Sequence, residues 1–406
     1  MSANKILIVA GEASGDHHAA RLVAAIKEEL PYAEFLGVGG EALAAQGVRI
    51  LCPASELAVV GLLEVIERLP AVFKALRDIN RALKTEKPRL VILVDFPDFN
   101  FWVARLARFH GVPVMYYISP QVWAWRTYRV RTIARLVDRM VVIFPFEADF
   151  YRERGVPAEY VGHPLVETLP SLPPRAELLK EWGLDPRNFT LALLPGSRAS
   201  EIERHLPAIL QAAGIIKEVI PETQFVLPLA STAPRELVEE MVEEFRMDLG
   251  GPTHVGAGLK PAPTASPIKV VSGQSYQVLS AAHLAIVASG TATVEAALAA
   301  TPTVIVYRLS PLTFGVGRLL IRVEHVGMAN LLAGERLFPE VLQHLFTPES
   351  LAWEVLSLVK NGTRLEAMRR GLARIVERLG GPGASCRAAR VALEIIEAKG
   401  QTARGN

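Results

Sequence analysis

Cysteine is nearly absent from this chain: there are two in 406 residues, Cys52 and Cys386, far apart and outside any CxxC or zinc-like spacing. That excludes a disulfide framework and a cysteine metal cluster, and it fits a reducing cytoplasm. Long apolar runs are missing too. The most apolar stretch, residues 281–307, is broken by His283, Ser289, Gly290, Thr291, Glu295 and Pro302, so it falls short of the ~20 uninterrupted apolar residues of a transmembrane helix. The apolar run that begins at Ile6 stops at Gly11 and Glu12, too short for a signal-peptide core. Excess charge is lacking as well, with 44 Lys and Arg against 42 Asp and Glu and a formal net charge of +2. Such a balance gives no reason to expect a nucleic-acid partner. His17 and His18 are adjacent, and His205 lies in EIERH rather than HExxH. No zinc spacing results, and satisfied polar or surface roles account for most of the histidines.

What remains is an ordinary globular composition, half apolar and 21% charged, in a chain long enough for two cores. Short apolar runs recur, each followed by a turn and a helical pattern: residues 5–10, 89–95, 112–118, 139–144, 190–195, 223–230, 283–289 and 301–307. Continuous apolarity implies strands covered on both faces, hence α/β layers with parallel sheets. The runs form two sets, separated by a segment at 161–179 with four prolines. We expect one doubly wound domain over 1–166 and another over 167–379. The Gly- and Pro-rich stretch 250–267 reads as a mobile surface insertion. In such domains ligands bind in the crevice outside the carboxyl ends of the strands, so the strand ends carry the candidates.

In GEASGD, Gly11 and Gly15 permit a tight turn and close approach to a ligand, and Ser14 or Asp16 could cap the following helix. Glu12 stands in the same turn; a plain turn with an N-cap explains it equally. Asp95 ends an apolar strand and is a candidate general base, while Asp98 looks like a helix cap. In LPGSRASE, Gly196 and Ser197 offer donors at a helix start and Arg198 a cation able to grip a phosphate; a surface pair with Glu201 or Glu203 is the bland alternative. In ASGTATVE, Ser289, Gly290 and Thr291 open a helix whose dipole favours a diphosphate, and Glu295 suits ribose hydroxyls. Residues 56–87 read as a core-facing helix pair with a basic face, or as an apolar and basic surface for an anionic bilayer. YYISPQVWAWRTYRVR (116–131) mixes aromatics with arginines; it leaves a strand end near Asp95, where Trp123, Trp125 and Arg126 would wall a ligand or pack the loop.

In order, GEASGD, ELAVVGLLEV, DFPDFN, YYISPQVWAWR, VGHPLVE, LPGSRASE, ASGTATVE and MANLLAGERLFPEVLQ resemble the lipid A disaccharide synthases, inverting glycosyltransferases of the GT-B fold with two Rossmann-like domains facing an interdomain cleft. The resemblance implies transfer of 2,3-diacylglucosamine from its UDP carrier to the 6-hydroxyl of 2,3-diacylglucosamine 1-phosphate, without a metal or any other cofactor. It implies Asp95 as base, supported by Asp98. Gly196, Ser197, Arg198, Glu201, Ser289, Gly290, Thr291, Glu295 and Asn330 would serve the UDP donor. Glu12, Ser14, Gly15, Asp16, Trp123, Trp125 and Arg126 would lie on the acceptor side. It further implies a last helix, 380–406, that rejoins the first domain, a homodimer, and peripheral association with the inner membrane. Two departures stand out: Ala329 replaces a common proline, and 250–267 is extra. A UDP-sugar 2-epimerase and a catalytically silent nucleotide-binding scaffold are the rival readings.

Overall fold

A computed structural model describes residues 4–57, 62–230, 233–250, 268–309 and 327–402. The chain forms two compact units, one of Met1–Thr168 with Leu379–Asn406 and one of Leu169–Arg378. The second is therefore an insertion into the first. The Gly- and Pro-rich stretch from 251 to 267 lies outside the described residues.

Among the described residues the first unit holds a seven-stranded sheet: β1 (Lys5–Ala10), β2 (Glu34–Gly39), β3 (Arg49–Pro53), β4 (Leu90–Val94), β5 (Val114–Tyr117), β6 (Arg139–Val142) and β7 (Ala158–Tyr160). Its order is β3-β2-β1-β4-β5-β6-β7, and every pairing is parallel. Chain order runs outward from β1 in one direction and from β4 in the other, so the order reverses between these two. β4, LVILV, is buried at all five positions, because helices cover both faces and leave no register for polar residues. β2 and β3 escape a sequence reading based on apolar runs. β2 contains Gly37, where a Cβ would lie 1.7 Å from the Ile8 carbonyl oxygen at a φ of +155°; the close approach of β1 demands glycine there.

The last helix, Ala384–Thr402, packs against the helix Ala13–Glu29 in this same unit. Glu167 accepts hydrogen bonds from the Ser385 backbone N–H (2.9 Å) and hydroxyl (2.8 Å). Arg387 donates to the Val161 carbonyl at 2.7 Å, and the His163 N–H to the Leu379 carbonyl at 2.9 Å. The outgoing segment 161–168 and the returning segment 379–387 are thus tied to each other within the first unit.

The helix pair expected over 56–87 is instead one helix, Leu62–Glu86, with Pro70 inside it. Ala75, Ile79 and Leu83 face the core, while Leu69 and Phe73 are 41% and 66% exposed. A single straight stripe cannot bury every apolar residue of that segment. Two large apolar side chains are left in solvent beside exposed Lys74, Arg77 and Arg81.

The second unit repeats the scheme with β8 (Thr190–Leu194), β9 (Gln224–Leu229), β10 (Ile268–Ser272), β11 (Leu284–Ala288), β12 (Thr303–Tyr307) and β13 (Glu340–Leu342). The order is β10-β9-β8-β11-β12-β13, again parallel, with its reversal between β8 and β11. Among the described residues no helix is long and apolar enough to cross a membrane.

Candidate active site

Where strand order reverses, the loops leaving two neighbouring strands diverge to opposite faces and open a crevice at their carboxyl ends. In the first unit these loops are Gly11–Glu12 after β1 and Asp95–Phe96 after β4. Register places Ala10 opposite Val94, so the loops start side by side. They also touch: a Cβ on Gly11 would sit 2.2 Å from the Phe96 ring. Glycine at position 11 is what lets that ring close over the turn.

Asp95 and Phe96 both have positive φ, 45° and 48°. Two consecutive left-handed residues other than glycine cost about 1–3 kcal/mol each, and specific contacts hold them there. The Asp95 carbonyl accepts 2.6 Å hydrogen bonds from the Tyr116 hydroxyl and from the Asn100 carboxamide. The half-buried Asp95 side chain is thereby set at the head of β4 by atoms of β5 and of the helix Pro97–Phe109. Tyr116 and Asn100 are fully buried. Asn100 belongs to the DFPDFN motif, and its spacing of five from Asp95 is the signal that marks it.

Asp98 is not the expected cap. The helix starts at Pro97 with Phe96 in the cap position, and the Asp98 carboxylate pairs instead with Arg129 at 2.7 Å and Arg126 at 3.6 Å. Those arginines come from the basic-aromatic stretch, so the pair draws that loop to the helix next to Asp95. The guanidinium of Arg129 also lies 5.5 Å from the centre of the Phe101 ring.

The other end of the loop is braced from beneath. Trp123 is buried, its indole N–H donating to Glu147 at 3.0 Å and its ring meeting Phe146 edge-on. Ser119 and Tyr151 share a 2.7 Å hydrogen bond. Of the two readings left open for Trp123, packing is the one its geometry gives; the Trp125 side chain lies outside the described residues. Glu147 also accepts the Phe144 N–H at 3.2 Å. It is 1% exposed, and burial drives its pKa up to about 7 against the indole and backbone donors that pull it down.

Asp16 is a further correction. Its carboxylate accepts the N–H groups of Gly40 (2.7 Å) and Ala42 (2.9 Å) and so caps the helix Glu41–Ala45. Buried and engaged, it supports the fold instead of facing a ligand. Neither it nor Ser14 caps the helix Ala13–Glu29, whose cap position is Glu12 and whose start is not closed by a side-chain capping hydrogen bond. Ser14 is exposed in the first turn of that helix, and Gly15 is buried beneath it.

In the second unit the corresponding loops are Pro195–Arg198 after β8 and Ser289–Gly290 after β11, with Leu194 opposite Val287 in register. Gly196 has a φ of +127° and packs so closely on Glu201 that a Cβ would fall 2.6 Å from its carboxylate oxygen. Glu201 accepts the Ser197 N–H at 3.2 Å and lies 3.8 Å from the Arg198 guanidinium. The Ser197 N–H, expected to face a ligand, is therefore directed to Glu201, which shapes the turn from within. Arg198 stays 62% exposed. Gly290 is exposed with a φ of +153°, and open space surrounds the position of a Cβ. The helix Thr291–Leu298 that follows has no side-chain cap, so its first N–H groups and dipole are available to an anion. Glu295 is half-buried on this helix, and burial raises its pKa.

Asn330 does not offer its amide to a ligand. It is fully buried, donates to the Phe338 carbonyl (2.9 Å) and to Glu340 (2.8 Å), and accepts the Phe338 N–H (2.8 Å). It folds the MANLLAGERLFPE segment back on itself. Among the described residues no group of three His, Cys, Asp or Glu side chains is arranged to hold a metal ion.

The sequence model of the lipid-A-disaccharide synthetase family matches residues 6–396. A lipid-A-disaccharide synthase of Myxococcus xanthus is 47% identical over 97% of both chains. One from Geobacter metallireducens is 43% identical over 97% of this chain and 98% of its own. Among solved structures, a UDP-GlcNAc 2-epimerase from Neisseria meningitidis bound to UDP-GlcNAc superposes with a TM-score of 0.61 at 12% identity, covering 96% of this chain and 100% of its own. The calicheamicin glycosyltransferase CalG4 gives 0.59 at 16% identity, covering 98% and 99%.

Glu147 generates a pH test. A carboxyl whose folded pKa lies above its ordinary 4.5 holds its proton longer when folded, so it lowers stability progressively as pH rises from about 4.5 to about 7 and by a constant amount above. In denaturant titrations at several pH values, Glu147→Gln should gain on the wild type across that window and hold a constant difference beyond it. A difference independent of pH would show that the Glu147 carboxyl titrates alike in the folded and unfolded chain, without the raised pKa.

Proposed function

The chain belongs to the lipid-A-disaccharide synthetase family, and from that premise we propose which of its residues carry out the reaction. The enzyme is a glycosyltransferase. It transfers 2,3-diacylglucosamine from UDP to the 6-hydroxyl of 2,3-diacylglucosamine 1-phosphate, giving a β-1,6 disaccharide and UDP. An epimerase shares the fold, but likeness at 12% identity speaks for fold alone, whereas relatives at 42–47% over nearly the whole chain are synthases.

Asp95 is the general base. The observation that carries this is the strained Asp95–Phe96 pair, held by Tyr116 and Asn100 at the crevice of the first sheet. Strain of this kind persists where the surroundings over-determine a functional geometry. The carboxylate takes the proton of the 6-hydroxyl as its oxygen attacks the anomeric carbon, and the bond to UDP breaks with its electron pair on the phosphate oxygen. A single displacement inverts the α-linked donor to a β product.

The departing diphosphate gains charge, and fixed donors stabilise it without reorganising. Arg198 and the uncapped helix start at Gly290–Thr291 provide them. Glu295, one turn further along that helix, accepts from the ribose hydroxyls. Glu201 acts indirectly, by holding the Gly196–Arg198 turn. On the acceptor side, Glu12 and the loop carrying Arg126 flank Asp95. The family's lipid substrates also give a role to the exposed Leu69 and Phe73 with Lys74, Arg77 and Arg81: an apolar and basic face that rests on the anionic surface of the inner membrane.

Asp95→Asn should lower turnover by about 10²–10⁴-fold, the usual worth of general base catalysis, and leave UDP affinity unchanged in calorimetry; retained turnover would remove Asp95 from this role. Arg198→Ala should weaken UDP binding about tenfold or more, in keeping with a charge-assisted hydrogen bond of about 1.5–3 kcal/mol, and wild-type affinity would refute the contact. Charge reversal at Arg77 and Arg81 should reduce sedimentation with anionic vesicles at an unchanged melting temperature. Undiminished binding would place the membrane contact elsewhere.

A further inference from the structure

His205 sits on the helix Ala199–Val219, fully buried in the second unit. One ring nitrogen, Nδ1, is 2.7 Å from the Pro195 carbonyl oxygen, and the other, Nε2, is 3.0 Å from the Arg308 backbone nitrogen. These partners have fixed polarity. A carbonyl only accepts, so Nδ1 carries the proton; a backbone N–H only donates, so Nε2 is bare. The neutral ring is thereby held in one tautomer, and burial keeps its pKa below the ordinary histidine value. Tyr307 and Phe346 stand against the ring, with centroids 5.6 and 5.7 Å away.

The two atoms it joins belong to the ends of two strands. Pro195 follows β8 and opens the turn that presents Arg198, and Arg308 follows β12. Directly after Pro195 the backbone enters the +127° φ of Gly196, so the orientation of the Pro195 peptide decides where the turn points. Glu201 holds the far side of that turn, on the Ser197 N–H.

We propose that His205 is a positioning residue for the diphosphate turn: its Nδ1–H anchors the Pro195 carbonyl and so sets the direction of Gly196, Ser197 and Arg198. This rests on the reading of Arg198 as a diphosphate ligand. A group that orients a ligand-binding element through a hydrogen bond from behind, without touching the ligand, alters affinity through geometry.

Asparagine and glutamine separate the two bonds. The amide nitrogen of asparagine reaches the place of Nδ1 and can still donate to Pro195. Glutamine reaches the place of Nε2 and can accept from Arg308, but leaves the Pro195 carbonyl without its donor. Each variant loses one buried hydrogen bond, so a purely structural role would affect both alike. In the full-length protein, calorimetry with UDP should give H205Q an affinity about tenfold below the wild type, and H205N an affinity close to the wild-type value, while melting temperatures fall by similar amounts. Equal UDP affinities for the two variants, with Arg198→Ala weakened, would overturn the role of His205 and leave the reading of Arg198 standing. Wild-type affinity in Arg198→Ala would overturn that reading and the inference with it. Should H205Q fail to fold, wild-type protein labelled with ¹⁵N in its histidine rings decides: UDP should shift the His205 Nδ1–H resonance, and an unmoved resonance would refute the coupling.

Discussion

The parallel pairing of β1 with β4 in one sheet, and of β8 with β11 in the other, is the constraint from which the rest of the molecule follows. Each pair joins strands that are neighbours in space while the chain builds the sheet outward on either side of them. Loops leaving such a pair must diverge, and the gap between them is the one place where backbone from two connections can converge on a ligand without being filled by the next crossover. GEASGD meets DFPDFN at the first reversal, and LPGSR meets ASGT at the second. The motifs are dispersed along the chain because adjacency at a reversal requires a long crossover between them.

Around these gaps the protein invests in rigidity. The Asp95–Phe96 backbone is held out of its relaxed conformation by a phenol, a carboxamide and the absence of a side chain at Gly11. The turn at Gly196 is gripped by Glu201 on one side and His205 on the other. The loop after β5 is fastened at Asp98 and propped by Glu147. Behind the crevices, buried Tyr116, Asn100, Glu147 and His205 hold the backbone of the loops in front, the arrangement that preorganised electrostatic stabilisation requires. The two halves differ in what gathers at the reversal: Asp95 and aromatic side chains in the first unit, Arg198 and an uncapped helix start in the second.

Much of this was legible in the sequence because it rests on local signals. Unbroken apolar runs marked the inner strands, and Gly, Ser and Arg after those runs marked the turns at the second reversal. β2, β3, β7 and β13 were not legible: β2 carries glycines, β7 and β13 are three residues long, and β3 has only a short apolar centre between Arg49 and Pro53, so their identity depends on the neighbour they pair with. Asp98, read as a helix cap, pairs instead with arginines of the neighbouring loop. Asp16 and Asn330, read as lying beside a ligand, make hydrogen bonds that end in the protein's own backbone. Glu147 and His205 left no usable local pattern, since their partners lie 24 residues away at Trp123 and 103 residues away at Arg308. The alternative readings of residues 56–87 turned on which apolar side chains the core could accommodate, a question of packing that periodicity alone does not answer.

The ties between segments 161–168 and 379–387 bear on how the molecule is made. The second unit is one continuous stretch of chain and has all its parts as soon as Arg378 has been synthesised. The first unit does not: Ala388, Ala389, Val391 and Ala392 of its closing helix are buried, and they are synthesised after the whole of the second unit. Until then the part of the helix Ala13–Glu29 that the closing helix covers waits exposed while some two hundred residues are added. Domains fold as units during synthesis, generally from the N-terminus onward. Here the discontinuous connection reverses that order, so that the half carrying Asp95 is completed after the half carrying Arg198.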